Sequence, residues 1–320
     1  MTVDLLRNIS LTVICASAQP ALGEASFSTA HSFEEIVEEL TADDPGADLS
    51  NLLVVMDDDD TLTMMPCPVP TSPSQCQYLG GPAWFSWQSD LNEMSNGGAL
   101  LPGQIAATDA QLYPISDLLL TLNNMDYADP SIPDALRQLT RMGAKLLVIT
   151  ARDTDVVSAT QGQFDHLSIP NEGSLLEMIS GNAPVWQASG VPSMAGTEGA
   201  GFCDITTPVA YQDGIVYATG QNKGEVLNCF LGKAEVTSID QIIFIDDTMA
   251  NVQDVYNSFL DSPDYDVAAV HLTQLAAHKQ AFGPTTGTSE LTEYQIAATL
   301  RWQHISSALA LTLLSPAGLD

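Results

Sequence analysis

The chain has 320 residues, enough for one large or two ordinary domains, and 45% of them are hydrophobic, which excludes a disordered acidic tail. Its 40 Asp and Glu stand against 9 Lys and Arg, so the formal net charge of −31 comes from a shortage of cations rather than an excess of acids. So few cations do not fit the basic surface of a nucleic-acid-binding protein or the polybasic patch that attaches a protein to an anionic membrane.

The N-terminus predicts a signal peptide over residues 1–18. An apolar run, Ile9–Ala18, follows Arg7 and ends in the triplet Ala16-Ser17-Ala18, whose small residues are typical of a cleavage site. An ordinary buried N-terminal helix is the alternative, because Asp4 offsets the charge of Arg7. No other apolar stretch reaches the roughly 20 residues of a membrane span. We therefore expect a periplasmic or secreted protein without a membrane span.

Four cysteines would remain after cleavage: Cys67, Cys76, Cys203 and Cys229. Cys67 and Cys76 flank a proline-rich loop and could form a disulfide in an oxidising compartment. Cys229 lies in an apolar segment, which favours a buried thiol. The absence of a C-x-x-C pair gives no support to a zinc or thioredoxin-like site.

Helical and strand patterns alternate along the rest of the chain. Residues 19–50 read as a leader with a helix over Ser32–Leu40, where Ser32 is followed three residues later by Glu35, a typical helix start. Buried strands are predicted for three continuous apolar runs: Asn51–Met56, Lys145–Ile149 and Gln241–Ile245. Further helices are predicted for Ile132–Met142, Glu225–Leu231 and Asn251–Leu260. This alternation predicts an α/β fold, a three-layer Rossmann-like parallel sheet.

We expect the main domain to span residues 51–280. The interval of about 63–129 is rich in Pro, Gly and aromatic residues and is predicted to be an inserted cap, with Trp84, Phe85 and Trp87 in its core rather than stacked on a substrate. A hairpin is predicted near Asp213-Gly214. Residues 281–320 are expected to form a C-terminal helical tail.

The first predicted strand leads directly into four acids, Asp57-Asp58-Asp59-Asp60. Ligands of parallel α/β sheets bind beyond the carboxyl ends of the strands, where these acids would lie. Adjacent carboxylates repel one another, so a cation is expected to neutralise them, and oxygen ligands favour Mg²⁺ or Ca²⁺. A solvated acidic turn is the alternative.

The other predicted strands also end in polar residues. The second ends in Thr150-Ala151-Arg152, a hydroxyl and backbone N–H groups that suit a phosphate or carboxylate, although Thr150 could also be a helix N-cap. The third ends in Asp246-Asp247. Lys223 begins a helical segment between them, with a surface position for Lys223 and a role for Lys233 as alternatives. Arg152 is either a second phosphate ligand or, as we favour, an ion-pair partner of Asp153 and Asp155.

Together these motifs resemble those of the haloacid dehalogenase (HAD) superfamily. Its first motif, D-x-D-x-[TV]-L, is matched by Asp57, Asp59, Thr61 and Leu62. The other three are matched by Thr150, by Lys223 and by Asp246-Asp247, followed by Asn251 as in many members. Over roughly Ser32–Leu275, the chain more narrowly resembles an uncharacterised family of exported bacterial HAD-like proteins. Asp60 stands where many superfamily members have Gly.

The resemblance implies a HAD-like core with an inserted cap and a Mg²⁺-dependent phosphomonoesterase that acts on a phosphorylated small molecule through an aspartyl-phosphate. In that mechanism Asp57 is the nucleophile and Asp59 the general acid and base, while Thr150 and Lys223 bind the phosphoryl group. The resemblance also implies substrate contacts from Thr61 and Asn251. It assigns Mg²⁺ to Asp57, the backbone carbonyl of Asp59, Asp246 and Asp247.

Two other functions stay open. A non-catalytic secreted protein could use the same pocket to bind a metal and a phosphorylated ligand. A dehalogenase is less expected, because it needs one carboxylate nucleophile and neither the second acid of the first motif nor the Asp246-Asp247 pair.

Overall fold

A computed structural model describes residues 25–67 except 43 and 45, and then 78–183, 207, 209–234, 238–283 and 290–313. The predicted signal peptide, Cys76 and Cys203 lie outside the described residues. The chain divides into two compact units. Unit 1 comprises Met1–Leu62 and Tyr127–Leu275, and unit 2 comprises Thr63–Asp126 and Ala276–Asp320.

A seven-stranded sheet forms the centre of unit 1. Its strands are, in spatial order, β1 (Ala25–Ala30), β11 (Asp266–Leu272), β10 (Gln241–Asp246), β2 (Leu52–Met56), β5 (Lys145–Thr150), β9 (Ile215–Tyr217) and β8 (Ala210–Gln212). All neighbouring strands are parallel except β8 and β9. The predicted α/β class with a Rossmann-like sheet is therefore confirmed.

Helices cover both faces of this sheet and make the fold three-layered. The helices of unit 1 are α1 (Phe33–Thr41), α4 (Ile132–Arg141), α5 (Val157–His166), α6 (Leu175–Asn182), α7 (Lys223–Ala234) and α8 (Met249–Phe259). Residues of α7 and α8 pack on one face against Val55, Ile149 and Phe244. Alternate residues such as Val54 and Val148 are equally buried, as expected for strands covered on both faces.

The three central strands and four of the helices match the predicted elements to within a few residues at each end. At the start of α1, the Ser32 hydroxyl accepts a hydrogen bond from the Glu35 N–H at 3.1 Å, and the Glu35 carboxylate accepts one from the His31 N–H at 2.6 Å. The sequence missed the edge strand β1, which lies in the predicted leader. β1 has small and polar residues and is mostly half-exposed, so it carries no continuous apolar pattern.

The predicted hairpin joins β8 and β9. Gln212 pairs with Ile215, which leaves Asp213 and Gly214 as a two-residue loop with φ of 51° and 84°. Positive φ at both positions is the requirement of the tight hairpin turn that favours Asp-Gly. The hairpin prediction is therefore confirmed. Unit 1 also contains a short two-stranded sheet of β6 (Ser168–Ile169) and β7 (Gly173–Ser174). One turn of 3-10 helix covers Thr154–Val156.

Unit 2 is largely helical. Its helices are α2 (Pro82–Ser95), α3 (Asp109–Leu122), α9 (Ala276–Phe282) and α10 (Glu293–Leu313). A short sheet pairs β3 (Thr63–Met64) with β4 (Asp126–Tyr127), and the division of the chain between the units falls within β4. Trp84 and Trp87 are buried in an aromatic core, where the Trp87 ring lies 5.5 Å from that of Phe282. Both tryptophans are core residues, as predicted, and Phe85 packs half-buried against Tyr113. The insertion and the C-terminal helices thus share one core.

Both cysteines in the described part of the chain, Cys67 and Cys229, are disulfide-bonded. The prediction of a buried free thiol at Cys229 is therefore wrong. An apolar neighbourhood in the sequence does not distinguish a free thiol from a disulfide-bonded one. The predicted pairing of Cys67 with Cys76 stays a prediction, because Cys76 lies outside the described residues.

Among the described helices, none has both the length and the apolar character needed to cross a membrane.

Candidate functional site

Three buried carboxylates meet at the carboxyl edge of the central sheet. Asp57 follows β2, Asp246 ends the neighbouring strand β10, and Asp247 comes next. One oxygen of each carboxylate lies within 4.8 Å of an oxygen of the other two. The first acid is held at this edge by its backbone, since the Asp57 N–H donates to the Ile245 carbonyl at 2.9 Å. The alternative of a solvated acidic turn is wrong, because Asp57, Asp58 and Asp60 are buried.

Lys223 joins two of these carboxylates. It is the first residue of α7 and only 1% exposed, and its Nζ donates to Asp57 Oδ1 and, at 2.7 Å, to Asp246 Oδ2. Burial lowers the pKa of Lys223, but the charges and hydrogen bonds of Asp246 and Asp57 outweigh burial and raise it to about 12. Lys223 is therefore a charged site residue and not a surface lysine. The Lys233 side chain lies outside the described residues.

Close packing of two helices positions Lys223. The next residue, Gly224, lies so near α8 that an added Cβ would be 2.4 Å from both the Asp254 carbonyl oxygen and the Ser258 hydroxyl. Before the helix, Thr219 and Gly220 have φ of 53° and 67°, so the chain turns sharply between β9 and α7. A glycine at 224 therefore lets α7 begin directly above the carboxylates.

Burial lowers the pKa of Lys223 but raises the pKa of Asp57, because in both cases it disfavours the charged form. It raises the pKa of the Asp57 carboxyl well above its usual range, against the opposing charge of Lys223. The neighbouring charge of Asp246 acts in the same direction as burial. A cation bound beside Asp57 would favour its ionised form.

Asn251 and Thr61 contact the acids of β10. The Asn251 side-chain amide donates to both oxygens of Asp246, at 3.1 and 3.0 Å. The Thr61 hydroxyl accepts from the Asp247 N–H at 3.1 Å and lies 3.4 Å from Asp247 Oδ1. Both side chains therefore orient carboxylates, which is a different contact from the substrate contact that the resemblance implies for them.

Thr150 ends β5, the strand next to β2, and is 1% exposed. Its hydroxyl accepts a hydrogen bond from the Arg152 N–H at 3.2 Å. The short helix that follows has Asp153 as its N-cap, whose carboxylate accepts from the Asp155 N–H. The alternative of Thr150 as the N-cap of that helix is therefore wrong, and Thr150 lies at the same sheet edge as the acids.

Asp59 is held by Arg152 through two hydrogen bonds. Arg152 Nε donates to Asp59 Oδ2 at 2.8 Å and Nη2 donates to Asp59 Oδ1 at 2.7 Å. Its Nη1 also lies 3.2 Å from Asp58 Oδ2. The predicted pairing of Arg152 with Asp153 and Asp155 is wrong, because the side chain extends into the sheet edge rather than along its own loop.

Asp60 has a backbone requirement of its own. It is buried, and its φ of 61° lies in the left-handed region that glycine adopts without strain. Aspartate is among the few other residues that visit this region.

The site as a whole is rich in negative charge. Six carboxylates gather at this edge with two cations from the described residues, Lys223 and Arg152, and both cations are paired with acids. Buried oxygen ligands without sulfur or imidazole suit a hard divalent cation. The trio of Asp57, Asp246 and Asp247 therefore has the ligand atoms to hold a divalent cation.

Comparison with known proteins adds the family. No curated protein matches the chain. Residues 29–314 match the family described as "Protein of unknown function (DUF2608)", a stretch that contains all the site residues above. The match spans most of the chain, and the protein therefore belongs to the DUF2608 family.

Proposed function

We propose that this protein is a Mg²⁺-dependent, HAD-like phosphohydrolase that cleaves phosphomonoesters of small molecules through an aspartyl-phosphate on Asp57. The observation that carries the proposal is the buried ion-pair cluster in which Lys223 contacts both Asp57 and Asp246, beside Asp247. Phosphoryl transfer depends mainly on positioning and on neutralising charge, and this cluster offers a carboxylate nucleophile, a cation and metal ligands in one place.

The donor set supports the choice of metal. Asp57, Asp246 and Asp247 would hold the ion, and the backbone carbonyl of Asp59 would be a further ligand. A bound divalent cation would offset part of the carboxylate charge and withdraw electrons from a phosphoryl oxygen. Asn251 keeps both oxygens of Asp246 oriented, whereas the Thr61 hydroxyl accepts from the Asp247 N–H and donates to Asp247 Oδ1 at 3.4 Å.

The proposed reaction has two halves. A carboxylate oxygen of Asp57 forms a bond to phosphorus while the bond from phosphorus to the leaving oxygen breaks, and Asp59 gives a proton to that oxygen. Water then attacks the phosphorus, Asp59 takes a proton from the water, and the bond between Asp57 and phosphorus breaks. Inorganic phosphate and an alcohol are the products, and Asp59 holds a proton for the next cycle.

Lys223 and Thr150 serve the phosphoryl group in this mechanism. Lys223 keeps its positive charge because two carboxylates surround it, so it can neutralise charge that develops on the phosphoryl oxygens. The hydroxyl of Thr150 lies at the edge where β5 ends and would donate a hydrogen bond to a phosphoryl oxygen.

The test is hydrolysis of 4-nitrophenyl phosphate by the purified mature chain with Mg²⁺. We expect turnover that stops on addition of EDTA, and we expect Asp57→Asn to lower kcat by at least roughly 100-fold because the nucleophile is lost. The matched control is Asp261→Asn, which changes an exposed acid at the end of α8. An acid-quenched sample of the wild type should carry phosphate on Asp57.

Three results would contradict the proposal. Equal turnover by a folded Asp57→Asn variant would refute the nucleophile. Release of halide from a haloacid in the presence of EDTA would favour a dehalogenase. Binding of Mg²⁺ without turnover of any phosphomonoester would favour the non-catalytic ligand-binding alternative.

We also infer that the chain acts in the periplasm or outside the cell. Disulfide bonds at Cys67 and Cys229 support this inference, because disulfides persist mainly in oxidising compartments. The N-terminal sequence of the protein recovered from cell fractions tests it. We expect a chain that begins at Gln19 in the periplasm or medium, and an intact N-terminus in the cytoplasm would contradict export.

A further inference from the structure

Arg152 lies deeper in the protein than the acid to which it is paired. Its side chain is 2% exposed, whereas the side chain of Asp59, to which it is paired, is 17% exposed. The guanidinium therefore lies behind a carboxylate that can still be reached. Asp59 is therefore the more accessible member of the pair, and Arg152 is placed to act on a substrate through Asp59.

All three nitrogens of the guanidinium already have protein partners. Nε and Nη2 bind the two oxygens of Asp59, and Nη1 donates to the Thr160 hydroxyl at 2.8 Å and to the Gln163 side-chain oxygen at 2.7 Å. The two latter residues lie three apart on α5 and therefore share a face of that helix. Four of the five N–H groups of Arg152 are thus engaged, two by Asp59 and two by α5, which fixes the guanidinium to both.

Asp58 supplies the remaining partner. It is fully buried, and its Oδ2 lies 3.2 Å from Nη1, so the second acid of the quartet forms an ion pair with the arginine. A buried guanidinium needs such compensation, because an uncompensated buried charge is costly. Asp58 and α5 together hold Arg152 in place.

We propose that Arg152 is a positioning residue that fixes the carboxylate of Asp59 for proton transfer, anchored by Asp58, Thr160 and Gln163. Two parallel N–H···O bonds hold a carboxylate in one plane, which a single point charge does not do. Proton transfer needs this control, since a misplacement of about 1 Å can cost roughly 100-fold in rate. The inference rests on the proposed phosphohydrolase function.

Two substrates separate positioning from general stability. The leaving oxygen of 4-nitrophenyl phosphate departs as a stable anion and needs little protonation, whereas that of glycerol 2-phosphate needs a proton from Asp59. We expect Arg152→Lys, which keeps the charge but loses the paired bonds, to lower kcat for glycerol 2-phosphate roughly 10–100-fold. The decrease with 4-nitrophenyl phosphate should be much smaller, so the ratio of the two rates should change.

A gentler variant with a matched control covers the case in which Arg152→Lys does not fold. Thr160→Val removes one anchor of the guanidinium and should change the ratio of rates in the same direction. Thr140→Val is the control. Thr140 donates to the Leu136 carbonyl at 2.9 Å, just as Thr160 donates to the Val156 carbonyl at 3.0 Å. The other partner of Thr140 is the Arg137 carbonyl and not a guanidinium. Circular dichroism and thermal unfolding establish that each variant is folded.

The outcomes are distinct. A changed ratio in Thr160→Val, and in Arg152→Lys where it folds, with a wild-type ratio in Thr140→Val, supports the proposal. A folded Arg152→Lys with a wild-type ratio overturns it, as does an equal effect of Thr160→Val and Thr140→Val. A wild-type chain that hydrolyses neither substrate refutes the proposed function itself.

Discussion

The contact between α7 and α8 gives the sharpest structural prediction, Gly224→Ala. The new Cβ would lie 2.4 Å from the Asp254 carbonyl oxygen and from the Ser258 hydroxyl. The carbonyl belongs to the backbone of α8 and cannot rotate away, so α7 must move by roughly 1 Å to restore ordinary contact. Overpacking of this kind costs about 1–3 kcal/mol. We expect a loss of about 2 kcal/mol in the free energy of unfolding.

The same helix supplies the control, Gly232→Ala. Nothing lies within 4 Å of a Cβ added at Gly232, so the substitution adds no clash. Alanine is favoured over glycine inside a helix by about 1 kcal/mol, so this variant should be slightly more stable than the wild type. The two alanine variants should therefore change stability in opposite directions.

Thermal unfolding followed by circular dichroism measures both effects. With an unfolding entropy of about 2.1 cal/mol/K per residue, a loss of about 2 kcal/mol in a chain of 320 residues should lower Tm by roughly 3 °C in Gly224→Ala. Lys223 is the adjacent residue, so a shift of α7 should also weaken its contacts with Asp57 and Asp246. A Gly224→Ala variant as stable as the wild type, beside a stabilised Gly232→Ala, would refute the close packing of the two helices.

Two further substitutions test the acid cluster. Asn251→Ala should weaken Mg²⁺ binding roughly 10-fold in calorimetric titrations, because the hydrogen bonds that orient the Asp246 carboxylate are lost. The control is Asn257→Ala, which changes an exposed residue of the same helix. Equal Mg²⁺ affinities in the two variants would contradict the orienting role of Asn251. Asp60→Gly should be more stable to urea than Asp60→Ala by about 1 kcal/mol, since both lose the carboxylate but only alanine is strained at a φ of 61°. The reverse order of stability would show that the backbone at Asp60 is not left-handed.

The central part of the fold was predictable because its signals are local. β2, β5 and β10 are buried on both faces, and each appears in the sequence as an uninterrupted apolar run. β1 has few large apolar residues, and β11 carries polar or small residues among its apolar ones, so neither showed such a run. Their place in the sheet depends on parallel pairing with one another, and this pairing joins residues about 240 apart, such as Ala25 and Val267.

The candidate site was only partly predictable. Asp57, Asp246 and Asp247 were found because each follows a predicted strand, and parallel strands bring their carboxyl ends to one edge. The pairing of Arg152 with Asp59 joins residues 93 apart, and a nearby acid such as Asp153 was the better guess from the chain alone. An arginine two residues after the end of a strand, at the same sheet edge as the acids Asp57–Asp60, was the available signal.

The sequence by itself determined the α/β class and the polar residues that follow each central strand. Both could be predicted because hydrophobic periodicity and strand ends are local properties of the chain. Only the tertiary structure decided how the charges pair. Lys223 pairs with Asp57 and Asp246, and Arg152 pairs with Asp58 and Asp59. The net charge of −31 does not indicate which acids pair with either cation. The physical reason is that ion pairs act through space, and the sheet brings together acids and cations that lie 23 to 166 residues apart in the chain.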